Sequence, residues 1–400
     1  MTKRVYLLNR NEFIVIMALL MSITALSIDA MIPALGQIST DLNVADPNAT
    51  QWVISSIFLG ISFGVMLYGP FADSFGRKTA IYLGVFIFLV GTLVAVFATT
   101  LKIMLIGRAI QGFGSASCRV VSITIIRDKY EGREMAQIMS LIMMVFILVP
   151  ALAPLLGQGI LLFSTWQAIF WFILIFALVS VTWMHFRQRE TLSPLNKRVF
   201  SIRLIISGIV DIVKNQTSLG YTLASGIMFG AFVSYLSTAQ QILAVQYGLG
   251  MMFPVYFGIL ALAYGVSSFL NSKLLNTYSI QQISRSSLIL QVVISILFLG
   301  LSIAADGNLN FTAFFIYMLF NFFCLGPLFG NFNSLALQPF GHMAGLATSV
   351  ISAIQTLTAV LVGGLIGQMY DGTVEPIIAG YFGCGITTLL IFLTLQRHKS

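Results

Sequence analysis

Residues Gly69 to Lys78 read GPFADSFGRK, and this stretch decides the fold. An apolar run ends just before it and another begins just after it. The gap holds an acid (Asp73), two glycines (Gly69, Gly76) and two adjacent bases (Arg77, Lys78). A short connection between two membrane helices on the cytoplasmic side must turn tightly, face water and carry positive charge. These ten residues meet all three demands.

The rest of the chain agrees. It has 400 residues, of which 58% are hydrophobic and 8% charged. The mean hydropathy is +0.94. A soluble domain carries about 25% charged residues, so this composition describes a polytopic membrane protein. The net charge of +8 comes from 21 Lys and Arg against 13 Asp and Glu. The bases sit in short loops, where they orient helices; no nucleic-acid partner is implied. Cys118, Cys324 and Cys384 fall inside apolar segments, an arrangement that offers neither a disulfide framework nor a metal site. The apolar stretch from Phe13 to about Leu35 is too long for a signal-peptide core and lacks a small-x-small cleavage site, so it reads as a retained first helix.

A membrane helix needs roughly 20 apolar residues. Spans are predicted to start near Phe13, Gln51, Thr79, Ile103, Met135, Gln167, Ser218, Phe253, Ser286, Asn310, Ala344 and Pro376. The expected fold is therefore all-α, with twelve transmembrane helices in two pseudo-symmetric six-helix bundles, residues 1–186 and 217–400. The linker, 187–216, contains Ile/Val-rich amphipathic stretches and reads as a helix lying on the cytoplasmic surface. With the N-terminus inside, 18 of the 21 bases fall in cytoplasmic segments, whereas outside loops hold only Lys102 and five acids. That asymmetry places both termini in the cytoplasm. Asn271 and Lys273 fall where a degenerate copy of the 69–78 loop belongs, and two similar halves around a central site suit a rocking transporter.

No GxxxxGK[ST], GxSxG or HExxH motif occurs, so neither an ATP-driven pump nor a hydrolase is implied. Gly112-Phe-Gly114 lies mid-span and reads as helix packing. Three charges are left within the bilayer: Asp29 in the first span, and Arg108 and Arg119 in the fourth. Each costs at least about 2.5 kcal/mol at a helix centre, so each needs a partner or a task. Arg108, Gln111, Ser115, Arg119 and Ser122 recur at helical spacing and form one stripe; its arginines are about 16 Å apart along the axis. Such a stripe predicts a water-filled, net positive cavity suited to an anionic ligand. Asp29 is the candidate proton carrier, with Arg108 as its expected partner. In the fifth span, Pro150, Pro154, Gly157 and Gly159 predict a bent, tightly packed gating helix. The C-terminal half has no intramembrane charge; Tyr235, Gln240, Gln241, Asn321, Asn331, Asn333 and Gln355 are its polar candidates for the cavity, and Tyr256 and Tyr264 are aromatics able to stack on a ligand.

Taken in order, several segments resemble the Bcr/CflA branch of the drug:proton antiporters in the major facilitator superfamily. These are LSIDAMIPALGQI (Leu26 to Ile38), the complete GPFADSFGRK loop, RAIQG (Arg108 to Gly112), IIRDKY (Ile125 to Tyr130), the P-x-x-x-P-x-x-G of the fifth span, WQAIFWF (Trp166 to Phe172), ASG at Ala224, NSK at Asn271 and HMAG at His342. The resemblance implies a monomeric, proton-driven exporter of small molecules in the bacterial inner membrane, with the proton gradient in place of any cofactor. It implies a gating latch at Gly69, Asp73, Gly76, Arg77 and Lys78, proton handling by Arg108, and an export-associated fifth span at Pro150, Pro154 and Gly157. Two departures stand out. Ala153 and Gln158 interrupt the fifth-span pattern, and Arg119 stands where relatives carry a small residue. An extra cation disfavours lipophilic cationic drugs and suits an anionic product, such as a carboxylate siderophore; a proton-coupled uptake symporter is the other alternative.

Overall fold

The structure, a computed structural model, describes residues 9–397. Lys3, Arg4 and Lys399, used above to orient the termini, lie outside the described residues, as does the side chain of His342. Fourteen α-helices carry the fold: α1 (Arg10–Asp29), α2 (Leu35–Asp41), α3 (Trp52–Phe75), α4 (Arg77–Val96), α5 (Leu101–Lys129), α6 (Gly132–Leu161), α7 (Trp166–Arg187), α8 (Ile202–Lys214), α9 (Gln216–Ala239), α10 (Phe253–Leu274), α11 (Ile280–Ala304), α12 (Phe311–Leu337), α13 (Ala344–Gln368) and α14 (Glu375–Arg397). No strand occurs among the described residues. Twelve helical segments are long and apolar enough to cross a membrane, with α1 and α2 forming the first together.

Local chemistry sets the boundaries. α5, α9 and α12 begin where Thr100, Asn215 and Asn310 accept hydrogen bonds from backbone N–H groups in the first turn, which otherwise lack partners. α11 starts six residues before the expected Ser286 because Ser279 and Gln282 form a reciprocal capping box, so Arg285 belongs to the helix rather than to the preceding loop. The first span is interrupted: α1 ends at Asp29, and Pro33 sits in a 3₁₀ turn, Ile32–Ala34, before α2. Proline removes a backbone donor and disfavours uninterrupted α-helix at this point. Pro150 and Pro154 lie inside the unbroken α6. α8 is the amphipathic linker helix; Ile205, Gly208 and Ile212 are buried against the protein, while Ile202, Leu204, Ile206, Val210 and Val213 are exposed.

Small residues bring the helices of the first half together. A Cβ on Gly60 would run into the Ala109 carbonyl, one on Gly91 into the Gln111 N–H and one on Gly114 into the Phe88 N–H. Gly112 and Gly114 are thus packing residues. Across the halves, α3 packs against α9 and α13, and α6 against α10.

Candidate functional site

The 69–78 loop closes into an ionic cluster. Gly76 joins α3 to α4 at φ +109°, a conformation that favours glycine, and a Cβ there would also press on the Glu190 carboxylate at 2.9 Å. Arg77, 5% exposed, is held between Asp73 (2.5 Å) and Asp128 (2.9 Å). Glu190 caps α4: its carboxylate accepts from the backbone N–H groups of Arg77 (3.0 Å) and Lys78 (2.9 Å), and from those of Thr191 and Leu192. Burial by itself raises the Glu190 pKa, but these four donors outweigh it and hold the group below the ordinary glutamate range. Lys78 donates to the His185 and Gln188 carbonyls at the end of α7. Gly69 lies against Ser349 of α13, where a Cβ would meet the hydroxyl at 2.8 Å. Glu190 and Thr191 escaped the sequence reading because they act from about 60 to 110 residues away in the linker; the acid beside the 69–78 bases in space has no counterpart in local periodicity.

The fourth-span stripe, on α5, divides. Arg108 is fully buried. Its Nη1 donates to the Ser27 carbonyl (2.8 Å) and Gln111 Oε1 (2.6 Å), and its Nε to the Val53 carbonyl (3.2 Å). Gln111 in turn donates to Thr92 (2.9 Å). Arg108 thus ties α5 to α1, α3 and α4. The expected Arg108–Asp29 ion pair is not formed. Arg108 reaches the backbone of Ser27, and Asp29, two residues further along, projects about 200° round the helix. Asp29 is 5% exposed and has no ion-pair or hydrogen-bond partner among the described residues. It ends α1 next to Ala30, whose carbonyl Gly157 of α6 abuts so closely that a Cβ has no room.

Ser115 bonds back to the Gly112 carbonyl, and Ser122 is buried with an unpartnered hydroxyl. Arg119 is the exception: it is exposed, although it lies ten residues inside the end of α5.

Several C-half candidates are placed away from this space. Asn331 exchanges hydrogen bonds with Asn271 (3.0 and 3.3 Å) and takes a third partner in Ser284. Tyr235 is fully buried against Phe257, with ring centroids 5.8 Å apart. Gln240 begins a π-helical turn beside Gly36 at the opposite end of the bundle. Gln355 is half-buried with an unpartnered amide nitrogen. For Asn331 the reason is that an amide inside a helix bundle finds another amide before it finds a cavity.

The end of the molecule opposite the 69–78 loop is stitched shut. Gln51 donates to Gln241 (2.7 Å), Gln241 to Asn48 (3.1 Å), Asn48 to the Tyr370 carbonyl (2.7 Å) and Gln368 to the Asn48 carbonyl (2.8 Å). This uncharged clasp joins the two halves.

Twelve membrane-length helical segments, joined across the two halves of the chain by a neutral clasp at one end, define a multi-pass membrane protein. The chain belongs to the Major Facilitator Superfamily, whose profile matches residues 17–363. It is 29% identical to a bicyclomycin resistance protein homolog from Haemophilus influenzae, with 97% of each chain covered. It is 25% identical to the multidrug resistance protein MdtL of Shigella dysenteriae, over 96% of this chain and 95% of that one. These relatives bear out the resemblance to the Bcr/CflA branch. Among solved structures it is similar to the partially occluded, inward-open xylose transporter XylE of E. coli, with a TM-score of 0.71 at 14% identity and 96% and 97% of the two chains covered.

Proposed function

We propose that the protein is a proton-coupled exporter of small molecules in the bacterial inner membrane. The termini and the 69–78 loop face the cytoplasm. Residues 1–186 and 217–400 rock about the cargo, and residues 187–216 join them on the cytoplasmic side. The names of the relatives, bicyclomycin resistance and multidrug resistance, support efflux as the direction. The observation that carries proton coupling is Asp29: a buried carboxyl group with no cation beside it, at the break in the first span and against Gly157 of the fifth. A carboxyl group at such a break can take a proton from one side of the membrane and pass it to the other as each side opens to water in turn. One proton then enters from the outer side and leaves to the cytoplasm for each cycle that carries cargo out. Arg108, locked to three backbone and side-chain acceptors, shapes the wall behind this step rather than exchanging charge with Asp29.

Inside-out membrane vesicles test the reading. Proton-driven accumulation of drug is expected, and Asp29→Asn should remove the dependence on the pH gradient by at least tenfold while the protein still folds. Absence of accumulation overturns export in favour of a symporter, and unchanged coupling in Asp29→Asn removes Asp29 from the proton path. A second reading, export of an anionic endogenous product, is favoured by the exposed Arg119.

A further inference from the structure

The linker is fastened to both halves of the molecule. Its first part grips the charged turn of the first half. Glu190 caps α4, the Thr191 hydroxyl donates to Asp128 (2.8 Å) and the Arg198 N–H donates to the Asp73 carbonyl (3.1 Å). The Phe200 ring stands 6.3 Å from each of Phe71 and Phe75 at the end of α3. Its second part, α8, grips the other half: a Cβ on Gly208 would meet Leu346, in the first turn of α13, at 2.8 Å. The linker joins the consecutive spans α7 and α9, so it lies at one end of the bundle, level with a bilayer surface.

Successive helical residues step round by about 100°, and α8 sorts its side chains into three arcs. Ile205, Gly208 and Ile212 form the buried arc. Beside it lies an apolar arc of Ile202, Ile206, Ile209, Val210 and Val213; Ile209 is half-buried, and the other four are exposed. Next comes an exposed polar arc of Arg203, Lys214, Ser207 and Asp211, with its two bases at the edge toward the apolar residues. Leu204 alone stands on the far side. In the lead-in, Leu195 and Val199 are almost fully exposed, and Lys197 and Arg198 beside them are exposed as well. Residues 195–214 hold four bases and one acid. A continuous apolar face marks a surface that another phase or molecule covers. A bilayer boundary takes both features at once: the apolar arc enters the acyl region, and the long basic side chains reach the phosphates. Zwitterionic headgroups satisfy only the apolar arc, whereas anionic ones also attract the bases, each contributing about fivefold in partition.

We infer that the linker's partner is the anionic phospholipid surface of the cytoplasmic leaflet, entered by the apolar arc of α8 and bound through Arg203 and Lys214, and that this contact holds the linker against both halves. The inference rests on the cytoplasmic placement of the 69–78 loop proposed above. It is independent of transport direction and of proton coupling.

The full-length protein in nanodiscs, one copy per disc, tests it without any gradient. One set of discs is phosphatidylcholine alone, and the other replaces about one-third of it with phosphatidylglycerol. A bimane dye on Ile206→Cys reports the apolar arc; the native cysteines Cys118, Cys324 and Cys384 are buried, which keeps the labelling specific. Quenching by neutral acrylamide should be at least threefold weaker in the anionic discs, and high salt should reverse the difference. Adding Arg203→Gln and Lys214→Gln should remove it, while a bimane on Ser207→Cys should be quenched equally in both lipids. The thermal midpoint of the parent should rise in the anionic discs, and Arg203→Gln/Lys214→Gln should cancel at least half of that rise. Equal quenching in the two lipids, a lipid effect that survives the double variant, or protection that appears only when two copies share a disc each overturns the partner; the last assigns the face to a second copy of the chain. A midpoint indifferent to lipid overturns the holding role. Failure of accumulation in vesicles alongside an intact lipid effect would overturn export and leave this inference standing.

Discussion

Two clusters at corresponding places in the two halves solve one problem by different chemistry. In the first half, the connection between α3 and α4 is bound through charges: Arg77 with Asp73 and Asp128, and Glu190 on the N-terminus of α4. In the second half, the connection between α10 and α11 is bound through neutral groups, Asn271 with Asn331 and Asn331 with Ser284. Burial explains the choice. The Asp73 side chain is 39% exposed, so its charge is partly solvated, and the linker can bring further charged and polar groups to it. Arg77 is itself only 5% exposed, but its carboxylate partners reach water; Asn271 and Asn331, 9% and 2% exposed, have no such partly solvated counter-ion, and there paired amides need only each other. The lesson is that the two connections differ in what can switch them. Only the first has a cluster that responds to protons, salt and the position of the linker.

The largest expected effect breaks the charged side. Arg77→Gln leaves Asp73 and Asp128 facing each other without their cation. It should cost roughly 3 kcal/mol, the low end for a broken buried pair because Asp73 is partly solvated; the thermal midpoint of the detergent-purified protein reads it. A loss below about 1 kcal/mol would reduce the cluster to an ordinary surface ion pair.

A smaller effect probes the neutral side. Asn331→Leu strands the amide of Asn271 and should cost about 1–3 kcal/mol, while Asn271→Leu/Asn331→Leu should recover much of that loss because no polar group is left unpaired. Recovery of this kind is not expected on the charged side, where removing Arg77 and Asp73 together still leaves Asp128. Equal behaviour of the two double variants would erase the contrast.

The smallest effect sharpens the comparison by pH. Glu190 titrates lower in the folded protein than its ordinary value of 4.5. Its contribution is therefore fully present above pH 4.5 and is lost as pH falls through the lower folded value. In melting curves between pH 7 and 3, Glu190→Gln should lose less stability on acidification than the parent does. Asn331→Leu should leave that acid-side slope unchanged, since nothing in its cluster titrates. Identical slopes in parent and Glu190→Gln would remove Glu190 from the pH response.

Much of this molecule was legible in its sequence, for specific reasons. Apolar run length marks a membrane span directly, so eleven of the twelve spans start within four residues of where composition placed them, and α11 starts six earlier. The Ser279–Gln282 capping box, which moved the start of α11, is itself a local signal that was available. Arg119 stands out in the sequence because an intramembrane cation has no cheap place to be. What was not legible lies in pairings across the chain. Arg108 to Ser27 spans 81 residues, and Arg77 to Glu190 spans 113. Periodicity put Arg108, Gln111, Ser115, Arg119 and Ser122 on one face of α5, and that much is geometry of a single helix. It could not say that α1, α3 and α4 cover the face at Arg108 and leave it open at Arg119.

By itself, then, the sequence determined the solvent in which this chain folds, the number of its spans and the residues that form a tight charged turn. Those follow from hydropathy, helix rise and glycine stereochemistry, which act over a few neighbouring residues. The tertiary structure alone decided which charges are buried to hold helices together, as with Arg108, and which stand exposed on their helix, as with Arg119. That outcome depends on how neighbouring helices rotate and approach one another at each depth of the bundle.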